Sequence, residues 1–391
     1  MNREDLLVEF CRSAIRIPSY SGKESEVAAL MKKTMTLYGF DEIVTDCYGS
    51  VIGTIHGKHP GKTVLFDGHI DHVDVIDKDK WVYPPFGAEV HNGKIYGRGS
   101  SDMKGSVAAM ISAAAQFAED CARDFAGTIC CSCTVHEERF EGVSCRAISE
   151  AVKPDFVIIG EATSGNVKIG QRGRAEVVVE TYGKSCHSSN PGQGINAVYH
   201  MCALIREIRQ IIPNEHPLLG KGIMELTDII SYPYPGASVV PAVCRATFDR
   251  RTLVGEDEKL ILYQINDAIK KVKKRIPAFN AKSYIAEGKE TCWTGETISA
   301  KRYFPAWVVK EEDPMIQAAL KGLHDAGYEP EISHFAFCTN GSHYCGEKGI
   351  PCIGYGPSLE SLAHVRDEYI EIRQLISAYH GFIGILKGLM V

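Results

Sequence analysis

Acidic and histidine side chains occur in short clusters that directly follow strand-like segments. Three of these clusters are Gly68-His69-Ile70-Asp71, His136-Glu137-Glu138 and Gly160-Glu161-Ala162-Thr163. A fourth, Ser101-Asp102-Met103-Lys104-Gly105, precedes a predicted helix, and a fifth, Leu362-Ala363-His364, follows a late strand-like segment. Ligands gather at the carboxyl ends of strands in open α/β sheets, so these clusters can converge. Imidazole nitrogens mixed with carboxylate oxygens suit zinc, cobalt or manganese, and the set is large enough for two ions sharing a carboxylate.

Helices and strands alternate in the first part of the chain, as they do in α/β sheets. Apolar spacing between Leu6 and Ile17 predicts a first helix. The motif Ser21-Gly22-Lys23-Glu24 is typical of a capping box and predicts the start of a second helix, which ends at Gly39. The next predicted elements are strands 50–55 and 63–66, helix 106–119, and strands 128–135 and 156–159.

The pattern of predicted strands and helices changes between residues 175 and 296, which indicates an inserted domain. Its predicted elements are strand 175–182, helix 197–211, strands near Met224 and at 243–248, and helix 258–276. A returning strand at 351–355 and a closing helix at 369–389 follow. With 391 residues, the chain exceeds the roughly 100 to 200 residues of one domain. We therefore predict an α/β, mixed-sheet catalytic domain formed by 1–174 and 297–391, interrupted by an α+β insert, 175–296.

Composition favours a cytoplasmic protein that acts on small molecules. Hydrophobic residues make up 45% of the chain, and no segment has the roughly 18 consecutive apolar residues of a membrane span. The net charge of -6, without a basic run, argues against nucleic acid as a partner. The first residues are charged, so we expect no secretory signal and no export. The 14 cysteines are therefore expected to be reduced, and Cys130 and Cys133 should face opposite sides of one strand.

Five ordered motifs along the whole chain resemble a known family. They are His69-Ile70-Asp71 after a strand, the block from Gly97 to Gly105, the Glu137-Glu138 pair, Gly160-Glu161, and the Gly-Lys-x-x-His spacing from Gly183 to His187. This pattern is similar to the dinuclear zinc amidohydrolases and peptidases, which include aminoacylases, acetylornithine deacetylase, succinyl-diaminopimelate desuccinylase and glutamate carboxypeptidases. Within that family, the chain looks closest to hydrolases linked to selenium metabolism.

The resemblance implies a role for each residue of the site. It makes His69, Asp102, Glu138, Glu161 and His364 the ligands of two divalent metals, most simply zinc, with cobalt or manganese as alternatives, and makes Asp102 the bridge. Asp71 would hydrogen-bond the far ring nitrogen of His69 and fix its tautomer. Glu137 would be the general base that takes a proton from water near the metals.

Substrate contacts are implied by the same resemblance. His187 in the insert matches a histidine that donates to the oxyanion, from the partner subunit in dimeric members. Arg251 and the Asn340-Gly341 segment match positions that bind a substrate carboxylate. Two residues depart from the common pattern, because His136 stands where an aspartate usually precedes the glutamate pair, and His72 stands where threonine or valine is frequent. The roles of these two histidines stay open.

The resemblance implies a metal-dependent hydrolase that cleaves an amide bond of a small N-acyl or N-carbamoyl amino-acid-like substrate. A dipeptidase or carboxypeptidase of the same family is one alternative, because the chemistry would be identical. A catalytically silent, metal-binding dimeric scaffold is the other, although the presence of Glu137 argues against it. The apolar helix predicted at 197–211 and the reach required of His187 favour a homodimer formed through the insert.

Overall fold

The computed structural model describes residues 2–391, which divide into two compact units. The first unit contains the chain up to Gln171, together with Lys289–Ser299 and Trp307–Val391. The second unit contains Arg172–Gly288 and Ala300–Ala306. None of the helices among residues 2–391 combines the length and apolarity that crossing a membrane requires.

Helices and short strands alternate along the described chain. The helices are α1 (Arg3–Ile15), α2 (Ser25–Leu37), α3 (Gly105–Asp120), α4 (Cys145–Val152), α5 (Ala197–Ile208), α6 (Glu258–Arg275), α7 (Pro314–Asp325) and α8 (Ile372–Met390). The strands are β1 (Glu42–Thr45), β2 (Val51–His56), β3 (His59–His69), β4 (Glu89–His91), β5 (Lys94–Tyr96), β6 (Ala126–Thr134), β7 (Phe156–Ile159), β8 (Val167–Gln171), β9 (Gly173–Tyr182), β10 (Glu215–His216), β11 (Gly220–Lys221), β12 (Ile223–Tyr232), β13 (Val243–Thr252), β14 (Asn280–Ile285), β15 (Glu287–Thr291), β16 (Thr297–Lys301), β17 (Tyr303–Phe304), β18 (Trp307–Val308), β19 (Ile332–Phe335), β20 (Cys352–Gly354) and β21 (Tyr369–Glu371).

A mixed sheet of nine strands forms the centre of the first unit. Its order is β1-β2-β6-β3-β7-β20-β8-β18, with β19 paired to β8. The four central strands β6, β3, β7 and β20 run parallel to one another, whereas β2 runs antiparallel to both of its neighbours, β1 and β6. All four residues of β7 are buried, as expected for a parallel strand covered on both faces. This parallel centre directs the carboxyl ends of several strands to one edge.

Helices cover both faces of that sheet. Leu65 packs in a buried cluster with Val157 and with Ile148 of α4. The next residue, Phe66, packs edge-on against Phe382 of α8, with ring centroids 5.2 Å apart. Successive side chains of a strand point to opposite faces, so β3 is enclosed from both sides. The strand ends are thereby held in a rigid core.

An antiparallel sheet and two helices make up the second unit. The strand order is β12-β13-β9-β14, with β17 also paired to β9. Alternate residues of β9 are buried, and Val177 and Val179 pack with Met201 of α5 and Ile265 of α6. A sheet with one face on a core shows this period of two. The structure therefore shows the α+β organisation that was predicted for this part of the chain.

Two details of the sequence-based prediction were wrong. The predicted capping box does not form, because no side chain caps the start of α2 and the Ser21 hydroxyl instead donates to Asp71. The boundary of the insert also differs, because Lys289–Ser299 groups with the first unit. There, Trp293 donates its indole N–H to the Gly49 carbonyl at 3.3 Å. Both differences come from contacts between residues far apart in the sequence.

The cysteines are all free thiols in the structure. Cys130 and Cys133 lie on β6. Burial raises the pKa of Cys130 to about 11, and it raises the pKa of Cys133 as well. Such thiols are protonated at neutral pH and are poor nucleophiles.

Candidate metal centre

Three neighbouring parallel strands deliver the first group of candidate ligands. β3 ends at His69, which pairs in register with Thr134 at the end of β6. β7 lies on the other side of β3 and leads into Glu161, two residues beyond its end. Glu137 and Glu138 follow β6 after a short turn. The convergence predicted from the sequence thus follows from parallel register in the sheet.

Asp102 lies between two sets of candidate ligands. One carboxylate oxygen, Oδ1, lies 3.0 Å from His69 Nε2, and that nitrogen lies 3.5 Å from Glu161 Oε1. The other oxygen, Oδ2, lies 3.1 Å from His364 Nε2, which is 3.0 Å from Glu138 Oε2. We call the first set the His69 half-site and the second the His364 half-site. A carboxylate with one oxygen in each set is placed to bridge two cations.

The charge and burial of this cluster fit divalent cations. Burial and neighbouring carboxylates raise the pKa of Glu138 to about 7 and raise the pKa of Glu161. Hydrogen bonds to Asp102 and Glu138 raise the pKa of His364 to about 10. Among residues 2–391, buried Glu138 Oε1 finds no hydrogen-bond partner. Protons on these groups therefore offset crowded negative charge, a role that a pair of divalent cations fulfils.

The tautomer of His69 is fixed by a main-chain oxygen. Its Nδ1 lies 2.9 Å from the carbonyl oxygen of Asp71 but 3.6 Å from that residue's carboxylate. A carbonyl only accepts, so Nδ1 carries a proton, which leaves Nε2 as the ring nitrogen that would bind a metal. The prediction that the Asp71 side chain makes this hydrogen bond was therefore wrong, although Nδ1 is the ring nitrogen that donates, as predicted.

The Asp71 carboxylate instead orients the glutamate pair. Its Oδ1 accepts the backbone N–H of Glu137 at 3.1 Å, and its Oδ2 accepts that of Glu138 at 3.2 Å. The Ser21 hydroxyl donates to the same Oδ2 at 2.7 Å. Bonds from backbone amides to a carboxylate are charge-assisted and short-ranged. Asp71 thus sets where the chain turns after β6.

Glu137 lies beside the His69 half-site. Its carboxylate, His69 and Glu161 offer oxygen and nitrogen atoms that all lie within 4.8 Å of one another. The residue is only 5% exposed. Burial, more than the neighbouring charges, raises the pKa of Glu137 well above its usual range. A buried carboxyl with a raised pKa is suited to accept a proton and release it again.

Glu368 positions Asp102, and the sequence analysis missed it. Its Oε1 accepts the backbone N–H groups of Ser101 at 2.8 Å and Asp102 at 3.1 Å. Its Oε2 forms an ion pair with Arg98 Nη1 at 2.7 Å, and both side chains are almost fully buried. Of this ion pair, only Arg98 belongs to a motif of the sequence, the block from Gly97 to Gly105. An acidic residue four positions after His364 was the available signal for its partner.

His72 has a structural role. The Ser19 backbone N–H donates to its Nε2 at 2.9 Å, and its Nδ1–H donates to the Val73 carbonyl at 2.8 Å. Burial lowers the pKa of His72 to about 3, so the ring is neutral. Both nitrogens are thus used in holding the loop after β3 against the segment after α1.

His136 is enclosed and neutral. The residue is fully buried, and neither ring nitrogen has a hydrogen-bond partner among residues 2–391. Glu290 Oε2 lies 3.8 Å from Nδ1. Burial lowers the pKa of His136. Its backbone φ of 57° is left-handed, which helps turn the chain from β6 into the glutamate pair.

The second unit contains His187 and Arg251. The Ser189 backbone N–H donates to His187 Nδ1 at 3.1 Å, so the proton of the neutral ring lies on Nε2. Arg251 Nε pairs with Asp249 Oδ1 at 2.7 Å, and Arg174 pairs with the same carboxylate at 3.0 Å. Two guanidinium groups therefore share one carboxylate.

Asn340 and Gly341 are buried within the first unit. The Asn340 amide donates to Asp67 Oδ2 at 2.8 Å, and its oxygen accepts the Gly142 N–H at 2.8 Å. A Cβ on Gly341 would lie 2.5 Å from the Trp307 indole nitrogen. Both ends of the Asn340 side chain are thus used by the protein. These contacts argue against the substrate role predicted for this segment.

A cavity of about 610 Å³ opens beside the His364 half-site in the first unit. Glu138 and His364 line it together with Tyr20 and His72. The His364 side chain is 54% exposed, whereas that of His69 is 1% exposed. A volume of this size suits a small organic substrate. The His364 half-site is therefore the more accessible of the two.

Comparison with known proteins identifies the family. Residues 65–387 match the family described as Peptidase family M20/M25/M40. The chain belongs to this family. Among relatives of this M20/M25/M40 family member, the uncharacterized protein YgeY of Escherichia coli K12 is 32% identical over 369 residues, 93% of this chain and 89% of YgeY. The resemblance inferred from the five motifs is thus confirmed at the level of the family.

Two further similarities concern an enzyme and a fold. Succinyl-diaminopimelate desuccinylase 2 from Ruegeria sp. TM1040 is 30% identical over 257 residues, 62% of this chain and 64% of that enzyme. Aminopeptidase PepT from Bacillus cereus ATCC 10987 has a TM-score of 0.76 at 17% identity, covering 99% of this chain and 98% of PepT. The M20/M25/M40 chain is a hydrolase of amide bonds, and its predicted α/β fold is confirmed.

Proposed function

We propose that this M20/M25/M40 hydrolase cleaves an amide bond of a small N-acyl or N-carbamoyl amino-acid-like substrate with two bound divalent metals. Zinc is the proposed metal, and cobalt or manganese are alternatives. The observation that carries the proposal is Asp102, with one oxygen in each half-site. His69 and Glu161 would hold one ion, and Glu138 and His364 would hold the other.

The bound metals would lower the pKa of a water from about 15.7 towards 7. Glu137 then accepts the proton of the attacking water, since its carboxylate lies beside the His69 half-site and is shielded from solvent. The same carboxyl returns the proton to the nitrogen of the leaving amine, so the glutamate is regenerated. Two successive transfers through one group suit the raised pKa of Glu137.

Residues of the second unit would complete substrate binding. His187 carries its proton on Nε2, so this nitrogen can donate to the oxyanion. Arg251 would bind a substrate carboxylate, because its side chain is 28% exposed beside Asp249, a carboxylate that Arg174 also contacts. Guanidinium groups match the planar geometry of carboxylates.

A homodimer formed through the second unit is part of the proposal. β12 lies at one end of the sheet order and exposes Ile223, Ile229 and Tyr232. An exposed edge strand with apolar side chains is a template for pairing with a second chain. A monomeric mass in solution, measured by light scattering with activity undiminished, would contradict it.

Metal analysis combined with turnover tests the function. We expect about two divalent ions per chain in the wild type, sharply fewer in Asp102→Ala, and the full number in Glu137→Gln. Glu137→Gln is the matched control because it removes the proposed base while keeping the ligands. Full turnover by metal-loaded Glu137→Gln would refute the mechanism.

A substrate panel distinguishes the alternatives. N-acyl and N-carbamoyl amino acids and dipeptides would be assayed with added zinc, cobalt or manganese. Hydrolysis restricted to dipeptides would support a dipeptidase or carboxypeptidase. The buried Glu137 is the observation against a silent scaffold, since a scaffold has no need of a shielded base. Silence across the panel with metals bound would support the scaffold.

A further inference from the structure

The wall of the 610 Å³ cavity carries an excess of basic side chains. Lys23, Arg98, Arg139 and Arg366 line it, and apart from the candidate ligand Glu138 its acidic side chain is Asp74. The whole chain has a net charge of -6, so this excess is opposite in sign to the average surface. A concave wall of one charge concentrates ligands of the other.

Two of these cations belong to the same loops as the ligands of the His364 half-site. Arg139 directly follows Glu138, and Arg366 lies two residues after His364. The two ligands lie 3.0 Å apart, between Glu138 Oε2 and His364 Nε2. Both arginines therefore lie on the side of the candidate centre that faces the cavity.

The basic side chains of the cavity wall differ in whether they form ion pairs with carboxylates of the protein. Arg98 is buried and paired with Glu368 at 2.7 Å. Arg139 lies 3.9 Å from Asp74, so it already has an acidic partner in the protein. Arg366 is exposed, and within residues 2–391 it makes no side-chain hydrogen bond or ion pair. A lone guanidinium beside a substrate cavity is available for an anionic ligand.

We propose that Lys23 and Arg366 form an anion-binding wall that selects amides carrying a carboxylate away from the scissile bond. This inference rests on the proposed amide hydrolysis and names its substrate class. It adds a second contact for a substrate carboxylate. The first is the one proposed for Arg251, which belongs to the other unit. Long basic side chains in partly exposed positions fit a flexible carboxylate arm rather than one rigid headgroup.

Matched substrate pairs test the proposal. The first pair is N-glutaryl-alanine and N-pentanoyl-alanine, which differ by a terminal carboxylate on the acyl side. The second pair is alanyl-glutamate and alanyl-glutamine, which differ on the amine side. We expect the wild type to prefer the charged member of at least one pair in kcat/KM. In Arg366→Gln this preference should fall about 3- to 10-fold, the range of one partly exposed charge-assisted contact.

Arg373→Gln is the matched control, because its side chain is 87% exposed and the residue lies outside the cavity lining. This variant should keep the wild-type preference. Raising the salt concentration should reduce the wild-type preference, since exposed charges are screened. A preference that is unchanged in both Arg366→Gln and Lys23→Gln would overturn the proposal.

Binding without turnover separates this proposal from the function on which it rests. Calorimetry on the metal-free protein would compare glutarate with pentanoate, whose difference isolates one carboxylate. We expect tighter glutarate binding, weakened in Arg366→Gln and kept in Arg373→Gln. Failure of every amide to react would refute the proposed hydrolysis but not this result. Equal binding of the two acids would refute the wall while leaving the hydrolysis standing.

Discussion

The ion pair between Arg98 and Glu368 offers a sharp test of how Asp102 is held in place. Both side chains are at most 4% exposed, and the Glu368 carboxylate accepts from Arg98 Nη1 and from the backbone N–H groups of Ser101 and Asp102. Burial raises the pKa of Glu368, whereas Arg98 and the amides of Ser101 and Asp102 favour the anion. Donors at both oxygens are the arrangement expected for an ionised carboxylate.

Glu368→Gln should lower the free energy of unfolding by about 3 to 5 kcal/mol, the cost of leaving one partner of a buried pair without its counter-ion. The amide keeps one oxygen. Its NH₂ group then faces either Arg98 or the backbone N–H groups of Ser101 and Asp102, and in either orientation two donors oppose each other. Metal affinity should also fall about 10- to 100-fold, because Asp102 loses its support.

Glu371→Gln is the matched control for this substitution. Glu371 pairs with Arg373 at 3.4 Å, and Arg373 is 87% exposed, so its loss should cost less than about 1 kcal/mol. Urea unfolding of the metal-free proteins would give the stabilities, and a zinc titration would give the affinities. Equal stabilities of the two variants would refute the argument. A double variant, Arg98→Met with Glu368→Met, should recover part of the loss because no charge stays buried.

Three further predictions concern the candidate centre itself. Glu137→Gln should lower kcat about 10²- to 10⁴-fold with metal content unchanged, as measured by steady-state kinetics and elemental analysis. Asp71→Asn should lower kcat by displacing the Glu137-Glu138 turn, while the His69 tautomer persists because a main-chain carbonyl holds it. NMR of the imidazole nitrogens would show whether it does. A chelator should remove metal in two phases, with the His364 half-site emptied first because His364 is 54% exposed and His69 only 1%.

The strand ends of the candidate centre could be predicted because local patterns determine them. The run Phe156–Ile159 is continuously apolar and fully buried, and the predicted and observed strands coincide. Strand β3 was predicted as 63–66 but extends over His59–His69, because His59 before this run and Asp67 to His69 after it also pair with β6. The position of each acidic or histidine cluster directly after a buried strand was thus enough to predict that the candidate ligands lie at one edge of the sheet.

Hydrogen-bond partners far apart in sequence could not be predicted. Ser21 carries the pattern of a capping residue, yet its hydroxyl donates to Asp71, 50 residues away. Asn340 matches a substrate-binding position, yet Asp67 and Gly142 occupy its amide. Each outcome depends on which polar groups the fold buries together, and burial penalises every group left without a partner. Local sequence carries no record of that choice.

The two half-sites differ in a way that links metal binding to substrate recognition. His69 and Glu161 follow buried parallel strands, whereas His364 lies on an exposed loop with a left-handed φ of 63°. That loop also carries Arg366, so a cation bound between Glu138 and His364 would restrict Arg366 as well. Ordering a side chain before the substrate arrives reduces the entropy lost on binding. Carboxylate affinity at the cavity wall should therefore rise when metal is bound, even for an anion that never touches the metal.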